Sequence, residues 1–586
     1  MLKQDITPEF LRSQIIGGDA AITTPFGERI LLYADYTASG RGLEFVEAYI
    51  TRLLAIYANT HTEDDSTGRT MTQLLHQAEQ RIKTLVNAGE HGRVIACGSG
   101  ATGAILKMQQ IVGVALPPVT RVNIEHLLRH YLGAAPAKDF WDYCDTHQPV
   151  VFVGPYEHHS NEVSWRESLA TVVEVRLDSR GGIDIEHLEQ LLVLPEYRDR
   201  PRIGSFSAAS NVTGIRTPVA EIAALLHRYD ALAFFDYAAC APYVDIDMNP
   251  ASDSGGEASL DAVFVSAHKF LGGPGASGVL VFNQRCYHKN LPPTVAGGGT
   301  VDFVGPNSHD FIDDIETREK AGTPGILQII KAALTFEIKQ AVGTQTIEER
   351  EAHFLERAFN RWRVHPNIEI LGDQDPRNRI GIVSFNIRDG NGRYLHPRFV
   401  TTLLNDLFGI QSRAGCSCAG PYGHQLLKID DDTALRYRHW VLEGLEGIKP
   451  GWCRVGFHYV FDEAEADQLI DCIEFIAGNG ARFLPAYRFD LRGGGWEHRD
   501  SVGEEVVLGL AEVLEQRVPV LGDHESFVQR RQHYAEYNEL ARQWLDVLPA
   551  ESELRFLTLS GEPGQLQFFT LVEENLNTRD LRWAGL

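Results

Sequence analysis

Apolar positions in the first part of the chain alternate between two periodicities. The segments 93–96, 231–235 and 262–265 are short and almost continuously apolar, which predicts buried strands. Residues 70–88 carry apolar side chains at helical spacing instead, and they end at Asn87-Ala88-Gly89, a typical helix stop. The alternation continues to about residue 335. It predicts a mainly parallel sheet covered by helices.

The pattern changes beyond about residue 345. It predicts helices at 348–364, 397–408 and 462–477 and strands at 380–387 and 453–457. Longer helices between isolated strands are typical of a smaller α+β domain.

A glycine-rich stretch at 492–496 separates this part from the last residues of the chain. The segments 554–559 and 566–571 flank Gly561-Glu562-Pro563-Gly564 and predict a β-hairpin. A helix is predicted before them, with one aromatic-rich face made of Phe527, Tyr534, Tyr537, Ala541 and Trp544. We interpret this extension as a structural elaboration of the smaller domain.

Two predicted strands end in residues that carry chemistry. Asp236 follows the strand at 231–235, and Ser266, His268 and Lys269 follow the strand at 262–265. In an open α/β sheet, ligands bind at the carboxyl ends of the strands. An amine at this place can form a Schiff base with an aldehyde cofactor, and a carboxylate can keep the nitrogen of a pyridine ring protonated. Lys269 and Asp236 therefore indicate an enzyme that uses pyridoxal 5'-phosphate.

A third strand runs into a glycine turn and a helix at Gly98-Ser99-Gly100-Ala101-Thr102. Free backbone amides and the positive end of the helix dipole make such a helix start a binding site for anions. Ser266 and His268 supply further donors to a phosphate. Taken by itself, the same pattern fits an ordinary tight turn.

These motifs resemble the class V, fold-type I pyridoxal phosphate enzymes, and within them the cysteine desulfurase and selenocysteine lyase group. The resemblance runs from residue 34 to residue 418, with the motifs in the family's order. The segments that carry it are 34–38, 57–61, 98–102, 157–161, 210–214, Asp236, 266–269, 321–325 and 413–418.

The resemblance implies an α/β fold of type I and a domain organisation. The expected parts are an N-terminal segment at 1–60 that joins the small domain, a large cofactor-binding domain at 61–335, a small C-terminal domain at 336–490 and an extension at 491–586. The large domain is expected to be a mainly parallel α/β/α sandwich. The small domain carries the loop with Cys416 and Cys418.

The resemblance also implies roles for individual residues. His158 covers the face of the cofactor ring and takes part in proton transfer, and Asn211 bonds the phenolic oxygen of the cofactor. Arg413 takes the carboxylate of the substrate, a task that suits a guanidinium fork. The residues implied in cofactor binding are Lys269, Asp236, His158, Asn211, Ser266, His268, Ala101, Thr102 and Thr300, and those implied in substrate binding are Arg413, Ala38 and His61.

The implied reaction removes sulfur or selenium from a free amino acid, cysteine or selenocysteine, and gives alanine. Cys418 matches the family's sulfur acceptor, three residues after Gly415, and Cys416 is an additional thiol. In an extended loop, residues two apart point the same way, so both thiols are expected on one side. Geometry therefore leaves Cys416 open as the acceptor, and such a pair could pass a persulfide from one thiol to the other or close into a disulfide. The family further implies a homodimer in which Thr300 reaches the neighbour's phosphate, and a sulfur-acceptor protein.

Several positions depart from the desulfurase pattern. Ala239 stands where glutamine is usual, Gly103 where glutamate is common, and Thr62 where arginine is common. Another class V reaction therefore stays open: an aminotransferase, an epimerase or a different carbon–sulfur lyase. A non-catalytic scaffold that keeps the fold is the alternative of another class, although it would have no need of Lys269 and Asp236.

Composition narrows the partners and the setting. The 586 residues carry a net charge of −25, which disfavours binding to nucleic acids and to anionic lipid surfaces. We find no apolar run long enough to cross a bilayer and no leader pattern at the N-terminus, so we expect a cytoplasmic protein. The eight cysteines are dispersed, and His424 is the only further candidate ligand near Cys416 and Cys418, so neither disulfides nor a metal site is predicted.

Overall fold

The structure, a computed structural model, describes residues 6–60, 62, 64–251, 257–501 and 525–576. Within them the chain forms two compact units. The first unit consists of Ile6 and Thr37–Glu348, and the second of Thr7–Tyr36 and the residues from Glu349 onward. In the described part of the chain, no helix is both long and apolar enough to cross a membrane.

The described helices and strands are as follows. The α-helices are α1 Pro8–Ser13, α2 Glu44–Leu54, α3 Ser66–Leu85, α4 Ala101–Ile111, α5 Pro118–Leu132, α6 Ala134–His147, α7 Val163–Arg166, α8 Ile185–Leu192, α9 Pro195–Arg198, α10 Val219–Arg228, α11 Ile315–Arg318, α12 Ile326–Val342, α13 Thr344–Trp362, α14 Pro397–Phe408, α15 Gly420–Leu426, α16 Asp431–Leu442, α17 Glu463–Asn479, α18 Phe527–Val547 and α19 Gly561–Leu566. The β-strands are β1 Ala21–Thr24, β2 Gly27–Ile30, β3 Leu32–Tyr33, β4 Gly92–Ala96, β5 Val150–Val153, β6 Thr171–Glu174, β7 Arg202–Ser207, β8 Ala231–Asp236, β9 Ala262–Ser266, β10 Gly278–Asn283, β11 Val301–Val304, β12 His309–Phe311, β13 Ile368–Ile370, β14 Ile382–Ile387, β15 Ile410–Gln411, β16 Arg413–Gly415, β17 Trp452–Gly456, β18 Tyr487–Phe489, β19 Trp496–His498, β20 Phe556–Leu557 and β21 Leu571–Val572.

The first unit is built on a seven-stranded sheet in the order β4-β10-β9-β8-β7-β5-β6. Strands β6, β5, β7, β8 and β9 run parallel, whereas β10 pairs antiparallel with both β9 and β4. The predicted α/β fold with a mainly parallel sheet is confirmed. Because β4 runs in the same direction as β8 and β9, the carboxyl ends of these three strands lie on the same edge of the sheet.

The central strands are apolar along their whole length because both faces of the sheet are covered. Every residue of β9 is buried, and in β8 only Leu232 is partly exposed. Strands buried on both faces read as continuous apolar runs. Polar groups therefore appear where the strands end, at Asp236 and Ser266.

The second unit contains an antiparallel sheet of four strands in the order β13-β14-β17-β16. The N-terminal segment adds to this unit through β3, which pairs in parallel with β15 and sets Leu32 opposite Ile410. Helix α14 covers the sheet with an apolar face, and Gly409 ends the helix at φ 73°, a conformation that favours glycine. The predicted helix at 397–408 is confirmed at both ends.

The C-terminal extension packs within the second unit through α18. The hydroxyl of Tyr537 accepts a hydrogen bond from the Ile30 amide at 3.2 Å, and the Arg29 guanidinium lies 4.6 Å from the centre of the Tyr537 ring. The indole of Trp544 meets the Phe26 ring edge-to-face at 5.3 Å. The extension thus holds the N-terminal strands β1 and β2.

The predicted hairpin near the C-terminus is only half right. Strands β20 and β21 pair antiparallel, but the segment between them contains α19, where a tight turn was expected. Ser560 takes the N-cap position, and Pro563 falls in the first helical turn, where its missing amide hydrogen is not needed. The glycines at both ends of the tetrapeptide suggested a turn, whereas Ser560 and Pro563 favour a helix start.

We predict that Arg530→Ala destabilises the second unit. The Arg530 side chain is 4% exposed, contacts the Asp462 carboxylate and donates to the Glu525 carbonyl oxygen at 2.6 Å. Removing one partner of a buried ion pair costs about 3 kcal/mol. Urea unfolding should show this loss, and Arg531→Ala, a change of the exposed neighbouring arginine, is the matched control. Equal midpoints for the two variants would contradict the prediction.

Candidate active site

The start of helix α4 and the turn after β9 form one polar cluster. The Ala101 amide donates to Ser266 Oγ at 2.9 Å, and the N-cap residue Gly100 has no side chain to cap the helix. A Cβ atom at Gly100 would lie 3.1 Å from Ser266 Oγ and 3.3 Å from His268 Nε2. The missing side chain therefore leaves a space lined by helix amides, a hydroxyl and an imidazole, which suits a phosphate.

Thr102 extends this cluster toward His158. The hydroxyls of Thr102 and Ser160 are 2.8 Å apart, and the Ser160 amide donates to His158 Nδ1 at 3.1 Å. Because Nδ1 accepts this bond, the neutral imidazole carries its proton on Nε2. The ring of His158 is thus oriented by its own turn, and it is only partly buried.

Asp236 and Lys269 interact at the same edge of the sheet. The carboxylate of Asp236 is buried and accepts from the Ala238 amide at 2.8 Å. Burial raises the pKa of Asp236 above its ordinary value, while the Ala238 hydrogen bond and the Lys269 ammonium act against this shift. A buried carboxylate of this kind is stabilised in its charged form by a cation placed against it.

The turn that carries Lys269 is held by the segment at 37–40. The Gly40 amide donates to the His268 carbonyl oxygen at 2.9 Å, and the Ser39 hydroxyl does so at 3.3 Å. A side chain at Gly40 would lie 1.8 Å from the Phe270 carbonyl oxygen, so only glycine fits this approach. Ala38, a predicted substrate-binding residue, lies in this segment and is partly buried.

His268 is partly buried beside Lys269. Burial and the neighbouring ammonium both lower the pKa of the imidazole. The ring is therefore neutral at pH 7, and it can offer one N–H to an anion.

Asn211 lies in a closed loop after β7. The Ser210 hydroxyl accepts from the amides of Val212 and Thr213, each at 3.1 Å, and the Gly214 amide donates to the Ser210 carbonyl oxygen at 3.0 Å. The Asn211 side chain is buried. It follows the strand next to β8, so it belongs to the same edge as Asp236.

Glu157 was not predicted as a site residue, yet it lies directly before His158 and its carboxyl group senses the charge of Asp236. Its buried carboxylate accepts four hydrogen bonds, from the Gly154 amide, the Asn161 side chain, and the amide and hydroxyl of Ser207. Burial raises the pKa of Glu157 to about 7, and the charge of Asp236 adds to this rise. The sequence did contain one indication of a role for Glu157, because this residue lies directly before His158 in the segment 157–161 that carries the family resemblance.

The second unit carries the predicted substrate arginine and the thiols. Arg413 is half-exposed and its Nε donates to the Asp35 carboxylate at 2.9 Å. Of the eight cysteines, all within the described residues, only Cys418 is exposed, and Cys416 is partly buried. Burial raises the pKa of Cys97, Cys240 and Cys453 to about 12, so these thiols are poor nucleophiles.

The cysteine loop is not extended, and this corrects the expected alignment of its two thiols. Ser417 and Cys418 have φ angles of 51° and 56°, in the left-handed region, and the Ala419 amide closes a turn onto the Cys416 carbonyl oxygen at 3.0 Å. The argument that residues two apart point the same way therefore fails here. Left-handed backbone costs about 1–3 kcal/mol at a residue other than glycine, and such strain is found at functional sites.

The roles of all the predicted site residues remain predictions, and two of these residues, His61 and Thr300, are not part of the contacts described above. His61 lies outside the described residues. Thr300 is buried in its own loop, where its hydroxyl donates to the Gly297 carbonyl oxygen at 2.7 Å. No group of three or more His, Cys, Asp or Glu side chains in the described part of the chain is placed to bind a metal ion.

Comparison with protein families identifies a match to the class-V aminotransferase model over residues 146–469. A probable cysteine desulfurase from Halalkalibacterium halodurans is 31% identical over 288 residues, which cover 48% of this chain and 64% of that protein. A probable cysteine desulfurase from Staphylococcus aureus is 27% identical over 399 residues, which cover 67% of this chain and 84% of that protein.

Solved structures share the fold. The apo cysteine desulfurase from Thermococcus onnurineus NA1 superposes with a TM-score of 0.60 at 19% identity, covering 81% of this chain and 98% of that one. The cysteine desulfurase CsdA from Escherichia coli superposes with a TM-score of 0.57 at 19% identity, covering 80% and 98%.

We predict that Gly100→Ala weakens the binding of pyridoxal phosphate by about tenfold, the effect of a lost interaction of about 1.4 kcal/mol. The new methyl group would occupy the space between Ser266 Oγ and His268 Nε2. Titration of the apoprotein, followed by the absorbance of the bound cofactor, measures the effect. Gly478→Ala, at a helix position with open space around it, is the matched control. Equal affinities in the two variants would show that the space next to Gly100 does not bind the phosphate.

Proposed function

The chain belongs to the class-V aminotransferase family, and from this premise we propose that it is a pyridoxal phosphate-dependent cysteine desulfurase or selenocysteine lyase-like enzyme. The observation that carries the proposal is the polar edge of the sheet in the first unit. Asp236, Ser266, Lys269 and the start of α4 belong to this edge. The likeness to probable cysteine desulfurases supports the choice of reaction within the family.

We propose that the cofactor's phosphate binds to the amides of Ala101 and Thr102 and to the side chains of Ser266 and His268. The space next to Gly100 supports this placement. The His268 ring is neutral, because burial and the Lys269 charge lower its pKa, and it can donate one hydrogen bond to the phosphate.

At the other end of the cofactor, Asp236 would keep the pyridine nitrogen protonated and Lys269 would supply the amine for its covalent attachment. When bound, the cofactor withdraws electrons from the α-carbon of an amino acid. His158 would cover the face of its ring, and Asn211 would donate a hydrogen bond to its phenolic oxygen. Once the amino acid substrate has displaced Lys269 from the cofactor, the freed amine would remove the α-proton.

We propose roles in substrate binding and in sulfur transfer for residues of each unit. Arg413 binds the α-carboxylate, and Ala38 and His61 contribute to the substrate site. The Cys418 thiolate attacks the sulfur of cysteine, so that a sulfur–sulfur bond forms as the carbon–sulfur bond breaks. The electron pair of the broken bond stays on the substrate, which takes up a proton and leaves as alanine.

We also propose a homodimer. In this arrangement Thr300 of one subunit reaches the phosphate of the other. The adjacent hairpin of β11 and β12 supports the idea, because Phe303 and Val304 are 58% and 65% exposed. A sulfur-acceptor protein would then take the sulfur from Cys418.

We predict that the purified protein converts L-cysteine to alanine and that Lys269→Ala abolishes the conversion. Lys269→Ala should also lose the borohydride-stable adduct with the cofactor, which mass spectrometry detects on the peptide of residue 269. Lys138→Ala, a change of an exposed lysine that pairs with Asp142, is the control. Exchange of the α-hydrogen in heavy water without alanine formation would favour an aminotransferase or an epimerase. A protein that binds no cofactor would favour the scaffold.

We predict that Cys418→Ala eliminates alanine formation from cysteine, whereas Cys416→Ala retains it and only slows transfer of sulfur to an acceptor. Cys418 is the exposed thiol of the pair, and it lies in the strained part of the loop. Mass spectrometry after cysteine treatment should find the added sulfur on the Cys418 side chain. Normal alanine formation in the doubly substituted protein would rule out a thiol nucleophile and point to selenocysteine-type or other class V chemistry.

A further inference from the structure

Two arginines lie directly opposite each other in the sheet of the second unit. The antiparallel pairing of β16 and β17 places Arg413 across from Arg454. The Arg454 side chain is 5% exposed and that of Arg413 is 52% exposed. Like charges opposite each other destabilise a strand pair, so this arrangement requires an anion between them.

Asp35 supplies that anion, with one oxygen for each arginine. Its Oδ2 accepts from Arg413 Nε at 2.9 Å, and its Oδ1 accepts from the terminal nitrogen Nη2 of Arg454 at 3.1 Å. The residue before Asp35, Ala34, is fixed through both its amide and its carbonyl oxygen. The Ala34 amide donates to the Gln411 carbonyl oxygen at 2.9 Å, and the Gly456 amide donates to the Ala34 carbonyl oxygen at 2.7 Å.

The hydrogen bond to Asp35 holds the Arg413 guanidinium at Nε and not at its two terminal nitrogens. Nε is the guanidinium nitrogen closest to the backbone, and the two terminal nitrogens lie farther out along a half-exposed side chain. A carboxylate can bind the terminal nitrogens as a bidentate partner. A guanidinium held at Nε loses less conformational freedom when that carboxylate binds.

We infer that Asp35 is a positioning residue for the substrate carboxylate: it orients Arg413 so that the arginine recognises amino acids with a free α-carboxylate. The inference rests on the proposed function for the role of Arg413. It adds a residue that acts through the arginine and sets the preference for free amino acids over their amides.

The test compares two ligands that differ only in the carboxylate. L-Alanine and L-alaninamide are titrated into the cofactor-loaded protein, and the cofactor absorbance reports binding. Asp35→Asn should weaken the binding of L-alanine about tenfold, which corresponds to a coupling of about 1.4 kcal/mol, and leave that of L-alaninamide unchanged. Arg413→Ala should do the same, and the double variant should lose nothing further.

A matched control removes another carboxylate that lies between two arginines of the same unit. Asp19 contacts Arg12 at 3.2 Å and Arg530 at 3.9 Å, so Asp19→Asn should keep the preference for L-alanine. Equal losses for both ligands in Asp35→Asn, or losses that add up in the double variant, would indicate a structural role and overturn the inference. A wild-type protein that does not prefer L-alanine over L-alaninamide overturns it as well.

A second variant covers the case in which Asp35→Asn does not fold. Asp35→Glu keeps the charge that the buried Arg454 needs, but it carries the carboxylate one methylene farther and displaces Arg413. The same loss of preference is expected, and a wild-type preference would overturn the inference. Because binding is read without turnover, these outcomes are separate from a failure to make alanine from cysteine, which would contradict the proposed function instead.

Discussion

Burial of the central sheet on both faces is the constraint from which the site in the first unit follows. Strands β8 and β9 have almost no exposed residue, so a polar side chain is tolerated only where each strand ends. Asp236 and Ser266 occupy those ends. The hydrogen bond from the Ala101 amide to Ser266 Oγ then ties the start of α4 to the end of β9. The reactive polar side chains of β8 and β9 therefore lie at this edge, because the buried interior of these strands is apolar.

Features that depend on continuous burial could be predicted from the sequence. The apolar runs before Asp236 and Ser266 identify strands because burial imposes them, and α14 shows its apolar face in the same way. Helices α5 and α6 were not predicted. Helix α5 has no buried residue, and apolar side chains such as Val119 and Tyr131 are 70% and 76% exposed, so no core imposes a periodicity there.

Site features that depend on distant contacts could not be predicted. The pairing of Asp35 with Arg413 joins residues 378 positions apart, and the left-handed backbone at Ser417 and Cys418 has no sequence signal because neither residue is glycine. Glu157 shows the same limit. Two of its four hydrogen bonds come from Ser207, which is 50 positions away and becomes a neighbour only when β5 and β7 pair.

Glu157 also changes how the protein responds to acid. Its pKa is about 7 in the folded protein against 4.5 for the unperturbed group, so between these values the folded state holds a proton that the unfolded chain has released. Stability from this group is therefore complete below pH 4.5 and declines as the pH rises toward 7. Most buried carboxylates that are ion-paired behave in the opposite way and favour the fold when they are ionised. Mild acidification thus stabilises the folded segment around Glu157, which carries His158, while it weakens ion pairs elsewhere in the molecule.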